Sequence, residues 1–153
     1  MAAILGAQYP DLFSGVAVHS GLAVGAAHDT PSAFGAMARG AVGTTSARLT
    51  VPTIVFHGDA DRTVHSRNGQ QIVDQAVVRS LKRTKVAGQV GDRRYTRTVF
   101  TQGDGTAAAE YWVLHGAGHA WSGGDPTGSY TDPKGPDASW EMVRFFLSER
   151  RTD

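Results

Sequence analysis

Two short segments carry residue types suited to acid–base chemistry: His57-Gly58-Asp59-Ala60-Asp61-Arg62-Thr63-Val64 and Gly116-Ala117-Gly118-His119-Ala120-Trp121. A carboxylate that accepts the Nδ1 proton of an imidazole fixes its tautomer and stabilises the imidazolium, so acid followed by base reads as two members of a hydrolase triad. Asp61 falls just beyond an apolar stretch ending at His57-Gly58, and catalytic groups in open α/β sheets collect at the carboxyl ends of strands. An aspartate there serves equally well as a turn or capping residue, and Asp59 is a rival acid. Gly116 and Gly118 let the backbone turn sharply and expose His119, a natural general base near neutral pH. Only the acid upstream separates His119 from an ordinary loop histidine. The nucleophile is missing: no Gly-x-Ser-x-Gly and no cysteine occur in the 153 residues.

Other candidates are weaker. His115 and His119 stand four apart, a metal-pair spacing on a helix, but the glycines between them argue against a helix. A metal-dependent hydrolase built on His57, Asp59, Asp61, His115 and His119 is therefore the third reading, and no metal or other cofactor is expected. His19, closing an apolar run, reads as a satisfied core histidine, and His57 should pack behind the acid loop. Ser20 is the best local substitute for the nucleophile, yet it lacks an elbow between strand and helix and reads as structural. Trp121 is either a hydrophobic wall for substrate or a core anchor; Trp112, flanked by Tyr111 and Val113, reads as core.

The elements that must position these residues follow from periodicity. Residues 1–9 favour a helix stopped by Pro10, and residues 15–19 form a short buried strand. Residues 21–50 read as a loop with a short helix near 32–39. Val51-Pro52-Thr53-Ile54-Val55-Phe56-His57 is the clearest strand, with Pro52 at its start where a missing N–H is tolerated. A helix is predicted over residues 66–82 from Ile72, Val73, Ala76, Val77 and Leu81. Two strands, 95–101 and 110–114, are joined by the turn Gly103-Asp104-Gly105. A glycine-rich loop then spans 115–136. An amphipathic helix over 137–150 closes the chain, its apolar side marked by Trp140, Val143 and Leu147 with Arg144, and broadened by Phe146. This order suits an α/β domain, with no repeat or linker, so residues 1–153 read as one domain or part of one.

Composition narrows the function classes. Apolar residues at 41% and charged residues at 19% suit a globular chain. The longest apolar stretches, about eight residues, fall short of the roughly 18 that span a bilayer. A net charge of +1 gives no long-range field toward nucleic acid or a charged membrane. The basic group Arg79, Lys82, Arg83, Lys85, Arg93, Arg94 and Arg97 reads as a solvated helix end and loop, without the interleaved aromatics of a nucleic-acid site. The N-terminus has no signal-peptide pattern.

At these motifs the chain resembles the C-terminal part of α/β-hydrolase esterases of the poly(3-hydroxybutyrate) depolymerase family, which includes feruloyl-esterase-like members. The likeness runs through residues 1–18 with Tyr9-Pro10-Asp11-Leu12-Phe13, the acid loop at 57–68, Gly118-His119-Ala120-Trp121-Ser122-Gly123-Gly124, and residues 128–138. The resemblance implies a mostly parallel sheet flanked by helices, and hydrolysis of a small-molecule or polymeric carboxylester. It favours Asp61 over Asp59 as the acid, makes His119 the base, and leaves Trp121 as a substrate-binding candidate. In the family a Gly-x-Ser-x-Gly elbow precedes the stretch matched by Met1-Ala2-Ala3. The expectation is therefore a fragment without its nucleophile, inactive alone and prone to self-association through an exposed sheet edge. The other expectation is a non-catalytic module that complements another chain through that edge. Many relatives are secreted; the compartment of this chain is left open.

Overall fold

Two apolar stretches pair in parallel at one side of the sheet: β1 (Val16–His19) and β2 (Thr53–Gly58), with Val16 opposite Thr53 and His19 opposite Phe56. The computed structural model describes residues 1–43 and 47–148. β5 (Ala107–Leu114) lies parallel to β2 on its other side, and the antiparallel strands β4 (Arg93–Thr101) and β3 (Lys82–Val90) extend the sheet to the order β1-β2-β5-β4-β3. The chain is thus mixed α/β, with β2 an interior strand and wholly buried. Burial on both faces explains why β2 reads as an unbroken apolar run.

Side chains alternate across the sheet and divide the core in two. Val55, Tyr111 and Ala109 face Ile72 and Val73 of α3 (Arg67–Ala76) and Ala3 of α1 (Ala2–Gln8). Ile54, Phe56, Trp112 and Leu114 face Ala138, Met142 and Phe145 of α4 (Ala138–Ser148). Burying a side chain such as Phe145 or Ile72, both 0% exposed, stabilises the fold by about 1.5–3 kcal/mol. Glu110, buried on β5, accepts hydrogen bonds from Arg97, Arg144 and the Trp112 indole. Those bonds compensate the cost of burying its charge.

Helix α2 (Thr30–Arg39) begins two residues before the expected start, because Asp29 and Ser32 form a reciprocal capping box. Three expectations need correction. The helix expected to Lys82 ends at Ala76, where Val77 turns extended. Residues 82–90 instead form β3, in hairpin register with β4 across Gly91 and Asp92, and Gly91 takes φ +53. The basic residues from Lys82 to Arg97 therefore lie on a hairpin, not a helix end, and Arg79 stands in the turn before it. On α4 the expected apolar side is the outer one: Trp140, Val143 and Leu147 are exposed, while Ala138, Met142 and Phe145 are buried. Both stripes are apolar, so periodicity alone could not choose between them. Residues 149 and 150 of that expected helix lie outside the described residues. No helix among the described residues is long and apolar enough to cross a membrane.

Candidate active site

The acid loop leaves the carboxyl end of β2 and the glycine-rich loop leaves the carboxyl end of β5, and these strands are neighbours. Gly58 makes the approach of the two loops close: a Cβ there would lie 2.3 Å from the Ala117 carbonyl oxygen. Backbone bonds join them, Asp59 N–H to Leu114 O and Ala60 N–H to Ala117 O, both at 3.1 Å. Side chains 58 residues apart in sequence therefore meet. Asp61 Oδ2 stands 2.9 Å from His119 Nδ1.

Asp61 is held by its own loop. Its side chain is 0% exposed, and Oδ1 accepts the backbone N–H groups of Thr63 at 2.9 Å and Val64 at 2.8 Å. Burial pushes its carboxyl upward, but the Val64 N–H, the His119 ring and the Thr63 N–H outweigh that and hold it below the ordinary carboxylate value. A carboxylate accepts only, so His119 donates from Nδ1 and its Nε2 is left as the free acceptor. No described residue hydrogen-bonds that Nε2. The His119 side chain, 37% exposed, borders an open cleft of about 470 Å³ with His19, Ser20, Ala120, Trp121 and Tyr130. A larger cavity of about 810 Å³ lies between α3 and Ala41, Gly43, Ala47 and Arg48, away from this pair, and holds neither Asp61 nor His119.

His57 packs behind the acid loop as expected: fully buried, with Nε2 donating to Val64 O at 2.8 Å. Burial keeps its ring neutral. Asp59, the rival acid, is paired elsewhere. Its Oδ2 meets His115 Nδ1 at 2.8 Å and its Oδ1 accepts Gly116 N–H at 2.6 Å, while His115 Nε2 meets Thr96 Oγ1 at 2.9 Å. Arg93 adds a brace, bonding Asp132 through Nε and its terminal nitrogen and the His115 carbonyl at 3.0 Å. Among the described residues, no cluster of three or more histidines and carboxylates is arranged to hold a metal ion.

Trp121 is 39% exposed and belongs to the cleft wall, with its indole N–H reaching Ser139 Oγ at 3.2 Å. Trp112 is core, stacked on Phe56. Ser20 follows β1 with φ +50, a left-handed conformation uncommon for serine, and its buried hydroxyl has no partner. The chain then continues as a loop to Asp29, not as a helix. His19, expected to be a satisfied core histidine, is indeed hydrogen-bonded, but it forms part of the cleft. Its position at the carboxyl end of an apolar strand is the sequence signal for that role.

A family model described as Esterase PHB depolymerase matches residues 1–99. That match includes β1 and the acid loop with Asp61, and stops before His119. No curated protein matches the chain.

Proposed function

The chain belongs to the PHB depolymerase family of esterases, and on that premise we propose that it carries the acid and base of a carboxylester hydrolase with an α/β-hydrolase fold. The observation that supports this most directly is the 2.9 Å contact between buried Asp61 and cleft-lining His119. In the proposed reaction His119 Nε2 takes the proton of a nucleophilic hydroxyl as its oxygen bonds to the ester carbonyl carbon. The imidazolium then returns that proton to the departing alkoxide, and water repeats the cycle on the acyl intermediate. Asp61 keeps the tautomer that leaves Nε2 unprotonated and offsets the positive charge formed midway. Trp121 would supply an apolar wall for the ester.

The nucleophile is proposed to come from residues outside these 153, because no serine here stands in a Gly-x-Ser-x-Gly elbow. One donor for the carbonyl oxygen belongs to the residue after such a serine, so it is absent too. The expectation is no ester turnover by the chain alone. Rapid mixing with a p-nitrophenyl ester tests this, since a burst of one nitrophenol per chain would overturn it. If the burst then vanished in Ser20→Ala, Ser20 would be the nucleophile.

A second reading is supported by β1, which forms an edge of the sheet. Val16 and Ser20 direct their N–H groups to β2, so those of Ala17 and His19 point away from it. Such an edge accepts a further strand from another chain or a second copy. Light scattering with hydrogen exchange tests it: a dimer or complex that protects the Ala17 amide supports the reading, and a monomer with that amide freely exchanging removes it.

A further inference from the structure

The cleft beside His119 is backed by an aromatic stack centred on one histidine. The His19 ring lies between Phe56, with centroids 5.9 Å apart and planes at 5°, and Trp121, at 5.0 Å and 24°. Its Nε2 stands 3.1 Å from the backbone nitrogen of Ser122, which donates to it. Ser122 is 1% exposed, and its hydroxyl is committed to Pro136 O at 2.6 Å. A backbone N–H can only donate, so the His19 ring must be neutral, with its proton on Nδ1.

We propose that His19 is a positioning residue that sets the Trp121 wall by stacking and fixes the exit of the His119 loop by accepting the Ser122 amide. This rests on the reading of His119 as the base. Ser122 lies three residues after His119 and directly after Trp121, so one ring controls both the wall and the loop. The start of the same loop is held separately, by Asp59 and Arg93. Burial favours the neutral ring and lowers its pKa to about 4, with His57 and His119 acting in the same direction and Asp61 opposing. Neutrality matters here. A proton on Nε2 would remove the acceptor and set a cation beside His119 when that ring becomes imidazolium.

The two contributions separate by substitution in the intact chain. His19→Phe keeps a flat ring without an acceptor; His19→Gln supplies an acceptor without the ring. In the unaltered chain, ¹⁵N spectra should show His19 protonated on Nδ1. His19→Phe should speed exchange of the Ser122 amide about tenfold, as expected when one hydrogen bond of ordinary net strength is removed, and His19→Gln should restore much of that protection. Acrylamide quenching of Trp121, with Trp112 and Trp140 replaced by Phe as background, should rise in His19→Gln more than in His19→Phe. Unchanged Ser122 exchange in His19→Phe, or a proton on His19 Nε2, would overturn the proposal, and the second result needs no variant to fold. Asp61→Asn probes the other reading independently, since it should invert the His119 tautomer whatever His19 does.

Discussion

Asp61–His119 at 2.9 Å and Asp59–His115 at 2.8 Å are Asp–His pairs of nearly equal length that bridge the same two loops. Their surroundings differ. Asp61 is 0% exposed at its side chain and takes two backbone N–H groups from its own loop, while Asp59 is 42% exposed and takes one from the opposite loop. His119 leaves Nε2 toward a cleft, whereas His115 spends Nε2 on Thr96. Identical residue types therefore diverge: one pair has a free ring nitrogen beside space for a substrate, and the other has both ring nitrogens engaged in bracing the loop. Distance alone does not distinguish them; the unspent nitrogen and the buried acid do.

Substitution should widen that difference in a definite order. Gly58→Ala strikes both pairs, because its Cβ would collide with the Ala117 backbone. We expect a destabilisation of about 3 kcal/mol, the upper part of the usual overpacking range, read from urea unfolding, with ¹⁵N spectra showing both Asp–His hydrogen bonds broken. Asp61→Asn comes next. It removes a buried charge but leaves the Thr63 and Val64 N–H groups an acceptor, so a destabilisation of about 2 kcal/mol is expected, together with inversion of the His119 tautomer. A normal tautomer in that variant would break the distinction between the pairs. Asp59→Asn should cost under about 1 kcal/mol, as exposed ion pairs do, and part of that should already be absent in 1 M salt. A cost equal to that of Asp61→Asn would show the bracing pair to matter as much to stability as the buried one.

Acid should separate the pairs more finely. Both carboxyls lie below their ordinary value; burial would raise each, but their hydrogen bonds prevail. Their stabilisation is complete above the unfolded value near 4 and is lost as pH falls through the lower folded values. Buried His19 and His57 act at higher pH. The unfolded rings take protons as pH falls through about 6.5, while folded His19 resists until about 4. Stability should therefore begin to decline below pH 6.5 and steepen below 4, followed by urea midpoints from pH 8 to 3. His19→Phe should flatten the upper part of that decline, and Asp61→Asn the lower part more than Asp59→Asn. A flat profile between 6.5 and 4 would contradict the burial of both rings.

Much of this is legible in the chain itself. The buried strand β2, the hairpin turn at Gly103-Asp104-Gly105 and the loops that carry Asp61 and His119 announce their positions through unbroken apolar runs and glycine punctuation. The helix expected over residues 66–82 overruns because Val77 and Leu81 continue a helical apolar spacing, and both do pack against the core. They reach it from beyond the helix, however, Val77 in extended backbone and Leu81 after a turn. The stronger signal is Gly91-Asp92, a two-residue turn between β-favouring stretches, which outweighs a period that only half the residues obey. On α4, two apolar stripes compete, and the sheet beneath selects the one with Met142 and Phe145.

Local chemistry by itself determined which residues could act: an aspartate after a buried strand, a histidine between glycines, and no serine in an elbow. It could not determine which aspartate meets which histidine, because Asp59 and Asp61 stand only two residues apart and His115 and His119 only four. Tertiary structure decided that. Parallel pairing of β2 with β5 sets the two loops side by side, and the turn at Asp59-Ala60 that follows β2 separates the two carboxylates, sending Asp59 to His115 and Asp61 inward to His119. The same packing turned His19, in sequence only the end of a strand, into the centre of the cleft wall. Contacts across 58 and 103 residues depend on how strands are ordered in the sheet, and no local pattern encodes that order.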